Sequence, residues 1–103
     1  MNHTKDIEVA TAILDQLGGH RFIAMTGSYN FISDTNSLLM HLRRNRSGSQ
    51  YLKITLNGMD TYDLTFTRFN RNQELIVVKE LNGYYDDMLQ QAFTEVTGMA
   101  THL

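Results

Sequence analysis

The alternation of apolar and polar residues predicts one helix near each end of the chain. Apolar residues recur at helical spacing across residues 5–17, and Gly18-Gly19 ends this helix because glycine readily adopts the left-handed backbone of helix C-termini. A second helix is predicted to open at Asn82-Gly83 and to close at Gly98. The apolar stripes are Ile7, Ala10, Ile13, Leu14 and Leu17 in the first helix, and Tyr85, Met88, Leu89, Ala92 and Val96, widened by Phe93, in the second.

The segment between the two helices is predicted to be extended. Five stretches have strand character, and polar or glycine-containing breaks separate them: residues 21–27, 38–42, 51–57, 60–67 and 74–81. The clearest are 51–57 and 60–67, where apolar and polar residues alternate as expected for strands with one dry face and one wet face. On the first of these two strands, Tyr51, Lys53 and Thr55 are predicted to face water.

The turn signals and the order of elements predict the topology. Asn57-Gly58 predicts a tight hairpin, because a type I′ turn needs positive φ at both central residues. The elements follow in the order α-β-β-β-β-β-α. The sequence therefore predicts a single α+β domain over residues 1–103, an antiparallel meander of four to five strands with the N-terminal and C-terminal helices packed on one face.

Length and composition narrow the class of protein. A chain of 103 residues is long enough for one domain with a small core. The absence of cysteine excludes a disulfide framework, a thiolate zinc site and a cysteine nucleophile. No apolar run approaches the ~20 residues that a membrane helix needs, and the polar opening residues are no signal peptide. We therefore expect a cytoplasmic protein that makes no contact with a membrane.

The formal charge of −2 is unevenly distributed along the chain. Residues 21–79 contain eight lysines or arginines and four acids, whereas residues 80–103 contain four acids and no lysine or arginine. Because successive turns of a meander alternate between the two ends of the sheet, the loops after Leu42 and Phe69 should share one end. This end would then carry five arginines on one rim: Arg43, Arg44, Arg46, Arg68 and Arg71.

An arginine-rich rim suggests an anionic partner, either a phosphate backbone or the acidic surface of another protein. Lys53 joins the arginines as a candidate binding residue. The alternative is that the rim is solvated loop surface, in which some arginines pair with nearby acids: Asp60, Asp63 or Glu74. Three apolar residues are further candidate contacts with a partner: Met59, Met99 and Leu103.

The residue types that carry out catalysis or bind metals do not occur at the sequence spacings typical of active sites or metal sites. The four histidines lie far apart along the chain: His3, His20, His41 and His102. Asp86-Asp87 suits the first turn of a helix better than a magnesium site, because neighbouring helical positions diverge by about 100°. Gly18-Gly19 follows a helix, which is the reverse of the order in a phosphate-binding loop. We therefore expect no catalytic residue, no metal and no cofactor, and hence no enzyme.

Several stretches form a motif set: ILDQLGG (13–19), FIAMTG (22–27), YLKITLN (51–57) and YDDML (85–89), together with Asn30-Phe31 and Thr97-Gly98. Through this set the chain resembles a group of small proteins of about this length that are encoded by bacteriophages, prophages and other mobile elements. The resemblance covers residues 10–103. It implies expression inside an infected or lysogenic bacterium, and it carries over no activity and no functional residue.

These observations predict a non-enzymatic accessory protein that binds another protein, either host machinery or its own copies. The alternative is a nucleic-acid-binding module that uses the rim arginines and Lys53 on phosphates. The protein partner is favoured because the acidic helices would repel nucleic acid. A homodimer would form by strand addition if residues 21–27 or 74–81 are an unprotected sheet edge.

Overall fold

The structure of the protein, a computed structural model, describes residues 3–101. The elements follow in chain order: α1 (His3–Leu17), α2 (His20–Thr26), β1 (Tyr29–Asp34), β2 (Ser37–His41), β3 (Tyr51–Leu56), β4 (Tyr62–Phe69), β5 (Leu75–Tyr84), a 3₁₀ turn (Asp86–Met88) and α3 (Leu89–Thr97). The strands form one sheet in the order β1-β2-β3-β4-β5, and every neighbouring pair is antiparallel. The predicted α+β meander between an N-terminal and a C-terminal helix is therefore confirmed.

The helices cover one face of the sheet, which we call the inner face. Alternate residues of the three central strands are almost fully buried there: Leu38, Met40, Leu52, Ile54, Leu64 and Phe66. Helix α1 packs across β1 and β2, and α3 packs beside α1. Phe22 of α2 meets Phe93 of α3 edge to face, with ring centroids 4.9 Å apart. All three helices and the inner face thus share one hydrophobic core.

The strand predicted over residues 21–27 is wrong, because this segment forms helix α2. Its buried residues are Phe22 and Thr26, which lie four apart and therefore share one helical face. A strand would also bury Ala24, which is exposed. The Thr26 hydroxyl donates to the Phe22 carbonyl (2.8 Å), and Gly27 ends the helix with φ 68°. The first strand and sheet edge is β1, so residues 21–27 offer no strand edge for the predicted strand addition.

The predicted start of the C-terminal helix is also wrong. Asn82 and Gly83 belong to β5, which continues to Tyr84, and the Gly83 amide donates to an oxygen of Asp63 at 3.0 Å. Helix α3 begins only after the 3₁₀ turn. Tyr85 and Met88 are consequently exposed, and the buried face of α3 consists of Leu89, Ala92, Phe93 and Thr97.

The hairpin at Asn57-Gly58 exists, but its turn differs from the predicted type I′ turn. The Asn57 amide donates to the Thr61 carbonyl (2.9 Å), and the Asp60 amide donates to the Asn57 carbonyl (3.2 Å). Positive φ falls on Asp60 (59°), not on Gly58. These bonds define a three-residue loop with a left-handed last residue. The β4–β5 hairpin has the same three-residue loop geometry, with Gln73 (φ 63°) as the left-handed last residue.

Candidate functional site: the outer face and the arginine end

The side of the sheet away from the helices is the outer face. Residues in register on neighbouring antiparallel strands share a face. One outer row runs Tyr29–His41–Tyr51–Thr67–Val77 across all five strands, and we call it the middle row. The next outer row contains Ile32, Leu39, Lys53, Thr65 and Glu80. Tyr51, Lys53 and Thr55 thus lie on the uncovered face, as the sequence predicts.

The outer face carries a group of exposed apolar side chains. Ile32 (55% exposed), Phe69 (42%), Leu75 (58%) and Val77 (57%) all lie on it. They account for half of the large exposed hydrophobic residues in the part of the chain whose side chains are described, 5–101. Ile32, Phe69 and Leu75 help to line an open depression of about 410 Å³, to which Thr65 and Thr67 also contribute. Clustering of this kind is typical of a binding surface, since isolated exposed apolar residues are ordinary.

Three rings of the middle row, together with Phe69 beside it, contact one another in sequence: Tyr29, His41, Tyr51 and Phe69. Successive centroids lie 5.2, 4.9 and 5.9 Å apart, and each pair meets edge to face. The guanidinium of Arg43 lies 4.1 Å from the centroid of the Tyr29 ring. Contacts of both kinds are favourable, so each ring is held in place by its neighbour.

The loops at residues 42–50 and 70–74 lie at the same end of the sheet, which we call the arginine end. Arg43 points toward the outer face, where its Nε donates to the Gly27 carbonyl at 3.1 Å. Arg46 points toward the helices instead. Its Nη2 donates to the Glu95 carbonyl (2.6 Å), and its amide donates to the Thr97 carbonyl (3.1 Å), so it caps the C-terminus of α3.

The other candidate residues differ from these two. Arg68 is half-buried, and its Nη1 donates to the Phe69 carbonyl at 3.4 Å. Arg44 and Arg71 are exposed. Lys53 lies on the outer face away from the rim, with its Nζ 3.8 Å from an Asp34 oxygen. The arginines thus lie at one end of the sheet, but their side chains point toward different surfaces. Within the described residues, Arg44 and Arg71 are the two rim arginines whose side chains form no hydrogen bond or ion pair.

The suggested pairing of rim arginines with acids does not occur. Within residues 3–101, no ion pair joins a rim arginine to Asp60, Asp63 or Glu74. Topology explains this for the two aspartates, because Asp60 and Asp63 lie at the opposite end of the sheet. Asp63 accepts instead from the side-chain Nδ2 of Asn57, at 3.2 Å.

The three apolar residues predicted to contact a partner differ in their exposure and position. Met59 is 86% exposed, as expected for its hairpin position, but it lies far from the outer-face cluster at the other end of the sheet. Met99 is half-buried against the core. Leu103 falls outside the described residues. The sequence did not point to four exposed apolar residues of the outer face: Ile32, Phe69, Leu75 and Val77. For Leu75 and Val77 a signal was present, because residues 75–78 form an apolar run in a strand with one wet face.

No protein-family model, curated protein or solved structure matches this chain. No helix within the described residues is long and apolar enough to cross a bilayer. Across residues 3–101, no group of three or more histidine, aspartate or glutamate side chains is arranged to hold a metal ion. What can be inferred about function comes from the surface chemistry of the outer face and the arginine end.

Proposed function

We propose that this protein is a non-enzymatic accessory protein that binds a protein partner through the outer face of its sheet. The observation that carries this proposal is the clustering of Ile32, Phe69, Leu75 and Val77 on a face that its own helices leave uncovered. Burial of apolar surface is favourable by about 25 cal/mol per Å² before the entropic and desolvation costs of association, so this face offers a partner apolar area whose burial opposes those costs.

The composition of the face supports a protein partner over a nucleic acid. Single-stranded nucleic acids stack their bases on free ring faces beside cations. Here the rings engage one another edge to face, and Arg43 already covers the Tyr29 ring. Exposed aliphatic side chains lie on the same face at Ile32, Leu75 and Val77. Tyrosine, arginine and buried apolar anchors are the residues that dominate the energetics of protein interfaces.

The setting of this interaction follows from the resemblance to proteins of phages and mobile elements. We place the protein in the cytoplasm of a bacterial cell, where the partner is a host protein or another copy of the chain. Within this proposal the arginine end and Lys53 supply charge around the apolar face. Charged groups of this kind orient a partner and speed its encounter more than they strengthen the final complex.

Site-specific photo-crosslinking tests the proposed face. A benzophenone amino acid replaces Leu75 on the outer face or, as the matched control, Ile7 on α1, since these residues are 58% and 55% exposed. After irradiation in bacterial cells, we expect one discrete protein adduct from position 75 and none from position 7. The proposal fails if position 75 gives no protein adduct, or if both positions give the same adducts.

Fluorescence anisotropy with labelled single-stranded and double-stranded oligonucleotides tests the nucleic-acid alternative. We expect no binding that weakens steeply with salt. If such binding occurs and is lost in the Arg44→Glu/Arg71→Glu variant, the protein contacts phosphates and the alternative replaces our proposal. These two arginines are chosen because Arg43 and Arg46 also hold the fold together.

A further inference from the structure

The two ends of the sheet carry opposite charge. The segments at the arginine end, residues 42–50 and 67–75, contain five arginines and one glutamate. The segments at the other end, residues 33–37, 55–63 and 82–87, contain five aspartates and no lysine or arginine. We call this second end the acidic end. Val77 lies between the two ends, Phe69 and Leu75 lie beside the arginine end and Ile32 beside the acidic end, so the outer face is an apolar surface with a basic border and an acidic border.

We propose that the occupant of the outer face is a second copy of this chain, stacked sheet against sheet with its strands antiparallel to those of the first. This inference rests on the proposed function, because it names the partner of the same face. Like charges facing each other across an interface are strongly unfavourable. An antiparallel arrangement brings the arginine end of each copy over the acidic end of the other, whereas a parallel one sets like charges together.

A two-fold axis that crosses the strands over the middle row satisfies these requirements. Such an axis reverses the strand direction and keeps each strand opposite its own counterpart. Phe69, on the arginine side of the row, then lies over Thr65 of the second copy, at the depression. Arg44 and Arg71 then lie over the acidic end of that copy, which carries Asp34, Asp60 and Asp63, with Asp34 3.8 Å from Lys53 of its own chain. Tyr29, His41, Tyr51 and Val77 therefore meet their own counterparts at the centre, and opposite charges meet twice at the borders.

The size of the face suits a specific dimer. Five strands about 4.8 Å apart, each about six residues long at about 3.4 Å per residue, give a footprint of roughly 500 Å² on each copy. Two copies therefore cover about 1,000 Å² in total, counted as flat area without the additional surface of protruding side chains. Specific interfaces begin at about this size. Stacked sheets of this kind are a common packing arrangement, about 10 Å apart.

The sheet edges are poorly suited to the strand addition predicted from the sequence. Residues 74–81 do lie on an edge strand, β5. However, the β4–β5 register shifts twice, between Tyr62 and Leu64 and between Phe66 and Thr67, and the extra residues fall in β5. The other edge, β1, has one such shift between Tyr29 and Ile32. Bulged edges discourage pairing with another strand, so the outer face is the better dimer surface.

Sedimentation equilibrium from micromolar to millimolar protein tests the dimer with three sets of samples. The first is the wild type, expected to form a dimer. The second is Leu75→Glu, expected to weaken the dimer at least about tenfold, with Ile7→Glu as the matched control that leaves it unchanged. The third is a pair of charge-reversed variants, Arg44→Glu/Arg71→Glu and Asp34→Lys/Asp60→Lys, each expected to be monomeric alone.

Mixing the two charge-reversed variants gives the decisive result. Every border of the mixed dimer again joins opposite charges, so we expect association to return, which a misfolded variant would not allow. A wild type that stays monomeric overturns the dimer but leaves the proposed face standing if position 75 still crosslinks to another protein. A wild-type dimer that Leu75→Glu leaves intact, or a mixture that does not associate, overturns the stacking arrangement.

Discussion

The two faces of the same sheet differ in what their apolar residues do. On the inner face, Leu64 is fully buried and belongs to the core shared with the helices. On the outer face, Leu75 of the adjacent strand remains 58% exposed. Apolar side chains on the inner face therefore stabilise the fold, whereas those on the outer face remain available to a partner. Strand periodicity places a residue on one face or the other, but only the packing of helices decides which face becomes the core.

The largest expected effect comes from the same substitution made once on each face. Leu64→Ala removes fully buried methyl groups and leaves a cavity, so we expect it to lower the free energy of unfolding by about 2–5 kcal/mol. At protein concentrations where the chain is monomeric, Leu75→Ala should change it by less than about 0.5 kcal/mol, because its side chain is then in water. Urea denaturation measures both values. Equal losses would contradict the assignment of the two faces.

A smaller effect is expected where α2 meets the outer face. Gly27 has φ 68°, and a Cβ at this position would come 2.9 Å from Cγ of Arg43. Gly27→Ala should therefore destabilise the protein by about 1–2 kcal/mol, through the left-handed backbone and the displaced arginine. Gly48→Ala is the control, since Gly48 is also left-handed (φ 76°) but a Cβ there meets nothing. If the two variants lose equal stability in urea, contact with Arg43 adds nothing.

The smallest effect is a pH dependence at the inner face. Burial, followed by the charges of Asp86 and Asp60, raises the pKa of the Tyr62 phenol above its usual value. The unfolded chain then releases this proton first, so stability is lost as the pH rises above about 10, until the phenol of the folded chain also ionises. Relative to the wild type, Tyr62→Phe should gain stability in this range. A difference that is constant from neutral to alkaline pH would contradict this.

The sequence could predict the helices and strands that have one clearly apolar side and one clearly polar side. Leu52 and Ile54 alternate with Tyr51 and Lys53, so β3 was identifiable together with its wet face. Residues 22–25 are apolar without interruption and suit a strand as well as a helix, so α2 could not be recognised from its pattern. The extension of β5 through Gly83 was hidden because its extra residues shift the register.

The candidate site was predictable in its charge and not in its apolar part. Chain order alone places the arginine-bearing loops at one end of the sheet. The directions in which the Arg43 and Arg46 side chains point are set by hydrogen bonds to the carbonyls of Gly27 and Glu95, which are distant in sequence. Likewise, Phe69 and Leu75 face each other only through the register of β4 and β5. The apolar run at residues 75–78 is visible in the sequence, but its neighbours across the sheet are not.

Methyl NMR on dilution tests the central claim most directly, because methyl groups report separately from each face. Over a dilution series from millimolar to micromolar protein, the methyl signals of Ile32, Leu75 and Val77 should shift together. Those of Ile54 on the inner face and of Ile7 on α1 should stay fixed. Outer-face signals that do not move over this range, or movement confined to Ile7, would contradict the account.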